Sequence, residues 1–138
     1  MAGTVSEPKI AREVAEAEVR RWAEQLGAEL PMVAGTVTPP ENVVQALMAG
    51  RVTFDEKAET FLMSLRSPVV QENGETVRDL LLAEPTALQL RDASKATKDE
   101  MEIMSRLLSY ITGKALGIVQ RLRQRDLLLA GALLGFFA

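Results

Sequence analysis

The stretch Ala58-Glu-Thr-Phe-Leu-Met-Ser-Leu-Arg66, then Asn73-Gly74, then Thr76-Val-Arg-Asp-Leu-Leu-Leu-Ala83 decides the fold class. In the first run Phe61, Met63 and Leu65 point one way, and Thr60, Leu62, Ser64 and Arg66 the other. That period of two is the mark of a half-buried strand. Asn-Gly is the strongest short hairpin signal, because a type I′ turn needs positive φ at both central residues. The last run predicts the returning strand, with Leu80 and Leu82 on one side and Leu81 on the other. Pro68 either ends regular pairing or sits at an edge, since it cannot donate to a ladder.

Upstream, Val52-Thr-Phe54 reads as a further strand, joined through the polar turn Asp55-Glu56-Lys57. A competing reading makes Thr53-Phe-Asp-Glu56 a helix capping box. The strand is preferred, because β-rich residues follow and the Asn-Gly turn needs a partner. Before it, Thr38 and Glu41 form a T-x-x-E box for a short helix that buries Val43, Val44, Leu47 and Met48 and stops at Gly50. Residues 31–40 carry no charge, and their prolines and glycine oppose helix and internal strand alike. The first element is an amphipathic helix, with Ser6 as cap, Glu7 at its positive end and Pro8 in the first turn. Ala11, Ala15, Val19, Trp22 and Leu26 share one face, opposite Arg12, Glu13, Glu16, Arg20 and Glu24. Val19, Trp22 and Leu26 are the candidate docking residues of this arm, and a docking side chain is preferred over a ligand platform for Trp22.

Downstream the chain reads as helical. Pro85 opens a short helix to about Ala93, and Thr97 with Glu100 caps a long one carrying Met101, Met104, Leu107, Leu108 and Ile111 on one face. Gly113 breaks it, and Leu116, Val119 and Leu122 continue as a shorter helix ending in Arg121, Arg123 and Arg125. Asp126 then caps Leu127 to Phe137, which is apolar all the way round. Such a helix is either buried centrally or bound to a partner. Gly131 and Gly135 have the four-residue spacing of close helix packing.

Composition narrows the chemistry. The 138 residues include no histidine and no cysteine, which removes thiol catalysis, Cys-ligated metal sites and the usual general base. No nucleophile elbow, phosphate-binding glycine loop or EF-hand spacing is present. Asp55, Glu56 and Glu59 cluster, but a solvated turn is the preferred reading, because calcium needs about six or more oxygens in a defined array. Neither an enzyme nor a cofactor is expected. Net charge is −3, composed of −3 over residues 1–50, −3 over 51–84 and +3 over 85–138. Nucleic acid is not the expected partner, because the helix that begins Lys98-Asp-Glu-Met-Glu102 would meet phosphates with carboxylates. Arg121, Arg123 and Arg125 are better phosphate candidates, but the preferred reading is a helix C-terminus meeting its dipole. Leu127 to Ala138 is twelve residues long, against the roughly 20 that span a bilayer. No membrane is expected, and with no secretory apolar core in Met1 to Pro8 the expected compartment is the cytoplasm.

Two stretches carry a likeness. Phe61-Leu-Met-Ser-Leu-Arg-Ser-Pro-Val69, Asn73-Gly74 and Val77-Arg-Asp-Leu-Leu-Leu-Ala-Glu-Pro-Thr-Ala87 resemble the tail assembly chaperones of long-tailed bacteriophages, of the Mu-like type. The pattern is a strand ending in Ser/Thr-Pro, a turn, then an apolar strand closing on the Pro-Thr-Ala that starts a helix. Ser105 to Gly113, then Leu122, Asp126 and Phe136-Phe137, is similar to the family's C-terminal helices. The resemblance covers residues 58–138. It implies a protein of the bacterial host cytoplasm that binds the tape measure protein, keeps it soluble, and promotes assembly of the tail tube protein around it. It also implies absence from the finished virion and, in many such phages, a longer frameshifted product.

The resulting expectation is an α+β fold, an antiparallel β-hairpin or three-stranded meander packed with C-terminal helices and preceded by an N-terminal amphipathic helical arm. Residues 1–50 form arm and linker, 51–84 the meander and 85–138 the helices. Residues 1–50 lie outside the resemblance and would serve docking or self-association. The candidate partner-binding residues are Met101, Met104, Leu108, Ile111, Leu127, Leu133, Leu134, Phe136 and Phe137, apolar and adaptable groups suited to a helical client. The rivals are a DNA-binding regulator using the basic C-terminal third and a membrane-active phage protein using the apolar C-terminus.

Overall fold

Strand β4, Thr60–Val70, is the centre of the molecule, with β3 (Val52–Asp55) on one side and β5 (Thr76–Leu82) on the other. Both pairings are antiparallel, so the sheet is a three-stranded meander within an α+β fold. The computed structural model describes residues 10–30, 32–33 and 36–137. Alternation fixes the faces as the sequence indicates: Phe61, Met63 and Leu65 are buried, and Leu62 and Arg66 are exposed. On β5, Leu80 and Leu82 are buried and Leu81 is exposed. Thr53 lies in β3 opposite Leu62, so no capping box forms there.

Two details of the hairpin differ from the expectation. Strand β4 does not stop at Arg66 but continues through Pro68, with a register shift between Ser64 and Val69. Opposite that bulge both Arg78 and Asp79 face outward, so β5 changes phase and Val77 is buried like Leu80. The turn is also not type I′. Gly74 has φ 87° and Asn73 has no positive φ, while the Gly74 N–H donates to the Gln71 carbonyl at 2.9 Å. This is the longer hairpin connection in which a tight turn is followed by one left-handed glycine.

Helix α1, Arg12–Leu26, buries Ala15, Val19, Trp22 and Ala23. It begins at Arg12 with Ala11 in the cap position; Ser6, Glu7 and Pro8 lie outside the described residues. Its Trp22 ring sits 5.7 Å from Phe54, 5.2 Å from Phe61 and 6.2 Å from Phe136, centre to centre. Offset and edge-on aromatic contacts of this kind add to area burial. The helix is therefore an amphipathic arm docked on the core. Its apolar face belongs to the same buried cluster as the sheet and the C-terminal helices.

The uncharged linker holds a two-residue ladder whose strands are both edges, not internal strands. β1 (Met32–Val33) and β2 (Thr36–Val37) pair antiparallel; Pro31 lies outside the described residues. Helix α2, Glu41–Met48, has Pro40 at its N-cap position with no side-chain cap there, and it buries Val43, Val44 and Ala46, with Leu47 and Met48 partly buried. Glu41 instead pairs with Arg12, joining the first turns of α1 and α2.

Helices α3 (Ala87–Ala96) and α4 (Glu100–Thr112) pack together beside β5. The α3 cap is a full capping box of Thr86 with Gln89, one residue after the Pro85 expected to open the helix. For α4 the cap is Asp99, not Thr97; its carboxylate accepts from the Met101 N–H at 3.0 Å. Helix α5 is short, Leu116–Val119, and α6 runs from Gln124 to Leu134 before a final 3-10 turn, Gly135–Phe137. Helix α6 packs against the sheet and α2, which makes it the central helix. Gly131 faces the Met104 side chain, and Gly135 has nothing near it, so the pair does not form a helix–helix seam.

Candidate functional site

Asp126 joins the C-terminal helices to the sheet. It was expected to cap the last helix, but it lies inside the first turn of α6 and is fully buried. Its Oδ1 accepts from the Arg66 N–H at 2.9 Å, and its Oδ2 from the Ser67 N–H at 3.1 Å. Both donors lie within the stretch of β4 where the register to β5 shifts, between Ser64 and Val69. Arg51 completes the set with an ion pair to Oδ1 at 3.2 Å, and the same guanidinium nitrogen donates to the Ser64 carbonyl at 3.1 Å. Burial holds Arg51 below the ordinary guanidinium value; Asp126 opposes that shift, and the nearby Arg66 charge adds to it. A buried carboxylate is tolerated when its oxygens are satisfied in this way. The arrangement is structural, and it fixes where the surface groups above it stand.

The two charged clusters of the sequence are placed as follows. Asp55 accepts from the Lys57 and Ala58 N–H groups at 3.0 and 3.1 Å, Glu56 pairs with Arg21, and Glu59 accepts from Gln25 at 3.1 Å. That acidic turn docks onto α1, and among the described residues no group of three or more Asp or Glu side chains is placed to hold a metal ion. The arginines at 121, 123 and 125 do not form a helix C-terminus. Arg121 follows α5 and donates to the Val70 carbonyl, Arg123 is the cap residue of α6, and Arg125 lies in its first turn. Among the described residues, no helix is long and apolar enough to cross a membrane.

The nine candidate partner-binding residues separate into three groups. Leu108, Leu133, Leu134 and Phe136 are buried in the core, so they are packing residues rather than open surface. Met104, Ile111, Leu127 and Phe137 are partly buried against that core. Met101 alone of the nine is well exposed, at 52%. The arm residues Val19 and Trp22 are buried and Leu26 is half-buried, which is docking within the chain itself.

The open apolar surface lies mostly elsewhere. Leu62 and Leu81 are cross-strand partners on the outer face of the sheet, and both are exposed. Leu88 and Leu90 on α3 and Tyr110 on α4 are exposed as well, and Gln89 reaches the Tyr110 carbonyl at 3.5 Å. The alternation around Leu62 and Leu81 already points both outward in sequence. What it lacks is any sign that no helix covers them. No protein-family model, curated protein or solved structure matches the chain.

Proposed function

We propose that this chain is a non-enzymatic tail assembly chaperone of a long-tailed phage, acting in the bacterial host cytoplasm. In this role it binds the tape measure protein, keeps it soluble and promotes assembly of the tail tube protein around it. The resemblance over residues 58–138 motivates the reading, and one structural observation carries it furthest. The paired leucines 62 and 81 stand uncovered on a sheet whose opposite face is fully packed. Apolar contact surface on a rigid two-layer frame suits the shielding of an apolar client, which needs no reactive side chain. Met101, exposed at the start of α4, adds an adaptable group of the kind used at tolerant binding surfaces.

Purified chain mixed with the tape measure protein of the same phage tests this by size-exclusion chromatography. Co-elution that is lost on substituting Leu81→Lys supports the reading. Separate elution of the two proteins under conditions where both stay soluble contradicts it.

A further inference from the structure

A groove between α2, β4 and α6 combines an apolar floor with arginine walls. Its floor is Ala46, Ala49, Leu128 and Leu129, and Arg51, Arg66 and Arg125 stand around it, in a volume of about 670 Å³. An adjoining cleft has Arg66 and Arg125 in common with the groove and adds Ser67, Arg123 and Asp126; the next shares Ser67 and Arg123 with that cleft and extends the basic surface to Arg121. Arg51 is held from below by Asp126. The Arg66, Arg123 and Arg125 side chains make no hydrogen bond or ion pair among the described residues, although the chain as a whole is acidic. Leu128 is 51% exposed beside them.

Arg51, Arg66, Arg121, Arg123 and Arg125 surround one carboxylate, the buried Asp126; such an excess of like charge is unfavourable in the free protein and is relieved by an anionic partner. We infer that this groove is a docking site for an acidic, partly apolar segment of a partner protein. Guanidinium forks take carboxylates two bonds at a time, and the leucine and alanine floor takes the intervening apolar side chains. A long polyanion is a poorer fit. A duplex would extend beyond the groove over a surface whose first 84 residues carry eight basic and fourteen acidic side chains. Its backbone would also leave Leu128 without a partner. The surface is separate from Leu62, Leu81 and Met101, so it stands or falls independently of the chaperone reading.

Fluorescence anisotropy with a labelled alternating Glu-Leu peptide tests the proposal on the full chain, alongside a Gln-Leu counterpart and a short DNA duplex. The Glu-Leu peptide is expected to bind, with the Gln-Leu peptide weaker by about tenfold or more. Raising ionic strength from about 0.01 M to about 0.15 M shortens screening from about 30 Å to about 8 Å and should weaken binding. Substituting Arg66→Glu with Arg125→Glu should abolish it. Arg123→Gln with Arg125→Gln, both at exposed positions, should reduce it while circular dichroism stays unchanged. Absence of Glu-Leu binding, equal binding of the Gln-Leu peptide, undiminished binding by both variants, or tighter capture of the duplex overturns the proposal.

Discussion

Asp126 reaches sixty residues back along the chain to accept the main-chain N–H of Arg66. The contact explains how β4 tolerates a proline and a register shift in mid-strand. Where the register to β5 shifts, a side chain from α6 accepts from the main-chain N–H groups of Arg66 and Ser67. The carboxylate thereby ties the helix to the bulge.

Removing that carboxylate should be costly. Asp126→Ala leaves two main-chain donors without an acceptor and takes its carboxylate from the part-buried Arg51, a loss of about 3 kcal/mol. Asp126→Asn keeps one acceptor oxygen and should cost less. Chemical denaturation of both variants checks the order Ala worse than Asn. An effect of Asp126→Ala within about 0.5 kcal/mol, as at an ordinary surface site, would remove the latch from the account.

Trp22 is the chain's single tryptophan and touches three phenylalanines from β3, β4 and the C-terminal turn. Trp22→Ala should cost about 3–5 kcal/mol, as for other large-to-small aromatic changes in cores. Trp22→Phe should cost markedly less, because the buried indole N–H has no hydrogen-bond partner to lose. Trp22 emission should be blue-shifted and resistant to acrylamide quenching in the native chain. Deleting residues 1–28 should unfold the remainder, whereas a truly appended arm would leave residues 51–138 folded.

Acid should loosen the clasp between the first turns of α1 and α2. The hydrogen bond from Arg12, helped by Gln45, holds the Glu41 carboxyl below its ordinary value. A carboxyl lowered on folding stabilises the native state above its unfolded pKa, about 4.3. That contribution disappears as pH falls through the lower folded value. Glu41→Gln should therefore melt below wild type at neutral pH, by a small margin because the pair is exposed. The two melting curves should converge in acid, and a gap that widens below pH 4 would contradict the assignment.

Leu81→Lys and Met101→Lys place charges on open surface, so each should change stability by less than about 0.5 kcal/mol. Client binding should nonetheless fall with either. Thermal melts paired with the co-elution assay separate the two effects. A variant that binds normally would exclude its side chain from the client surface.

Much of the sheet was legible because strand alternation is local: six residues around Phe61 suffice to show which face is buried. The bulge was not, since its cause sits at Asp126, in a helix far along the chain. The final helix, apolar on every side, left open burial or partnership; packing between the sheet and α2 decides for burial of Leu133, Leu134 and Phe136. Trp22 looked like an arm residue because nothing nearby in sequence contains its aromatic partners. The basic groove escaped for the same reason. Arg51, Arg66 and Arg125 come from three separate segments, and only the folded chain gathers them.

Co-expression with the tape measure protein tests the central claim most directly. The fraction of tape measure protein in the soluble lysate is measured with wild-type chain, with the Leu81→Lys variant and without either. The account predicts a mostly soluble client with wild type, and an aggregated client without it or with the variant. Equal tape measure solubility in all three would contradict it.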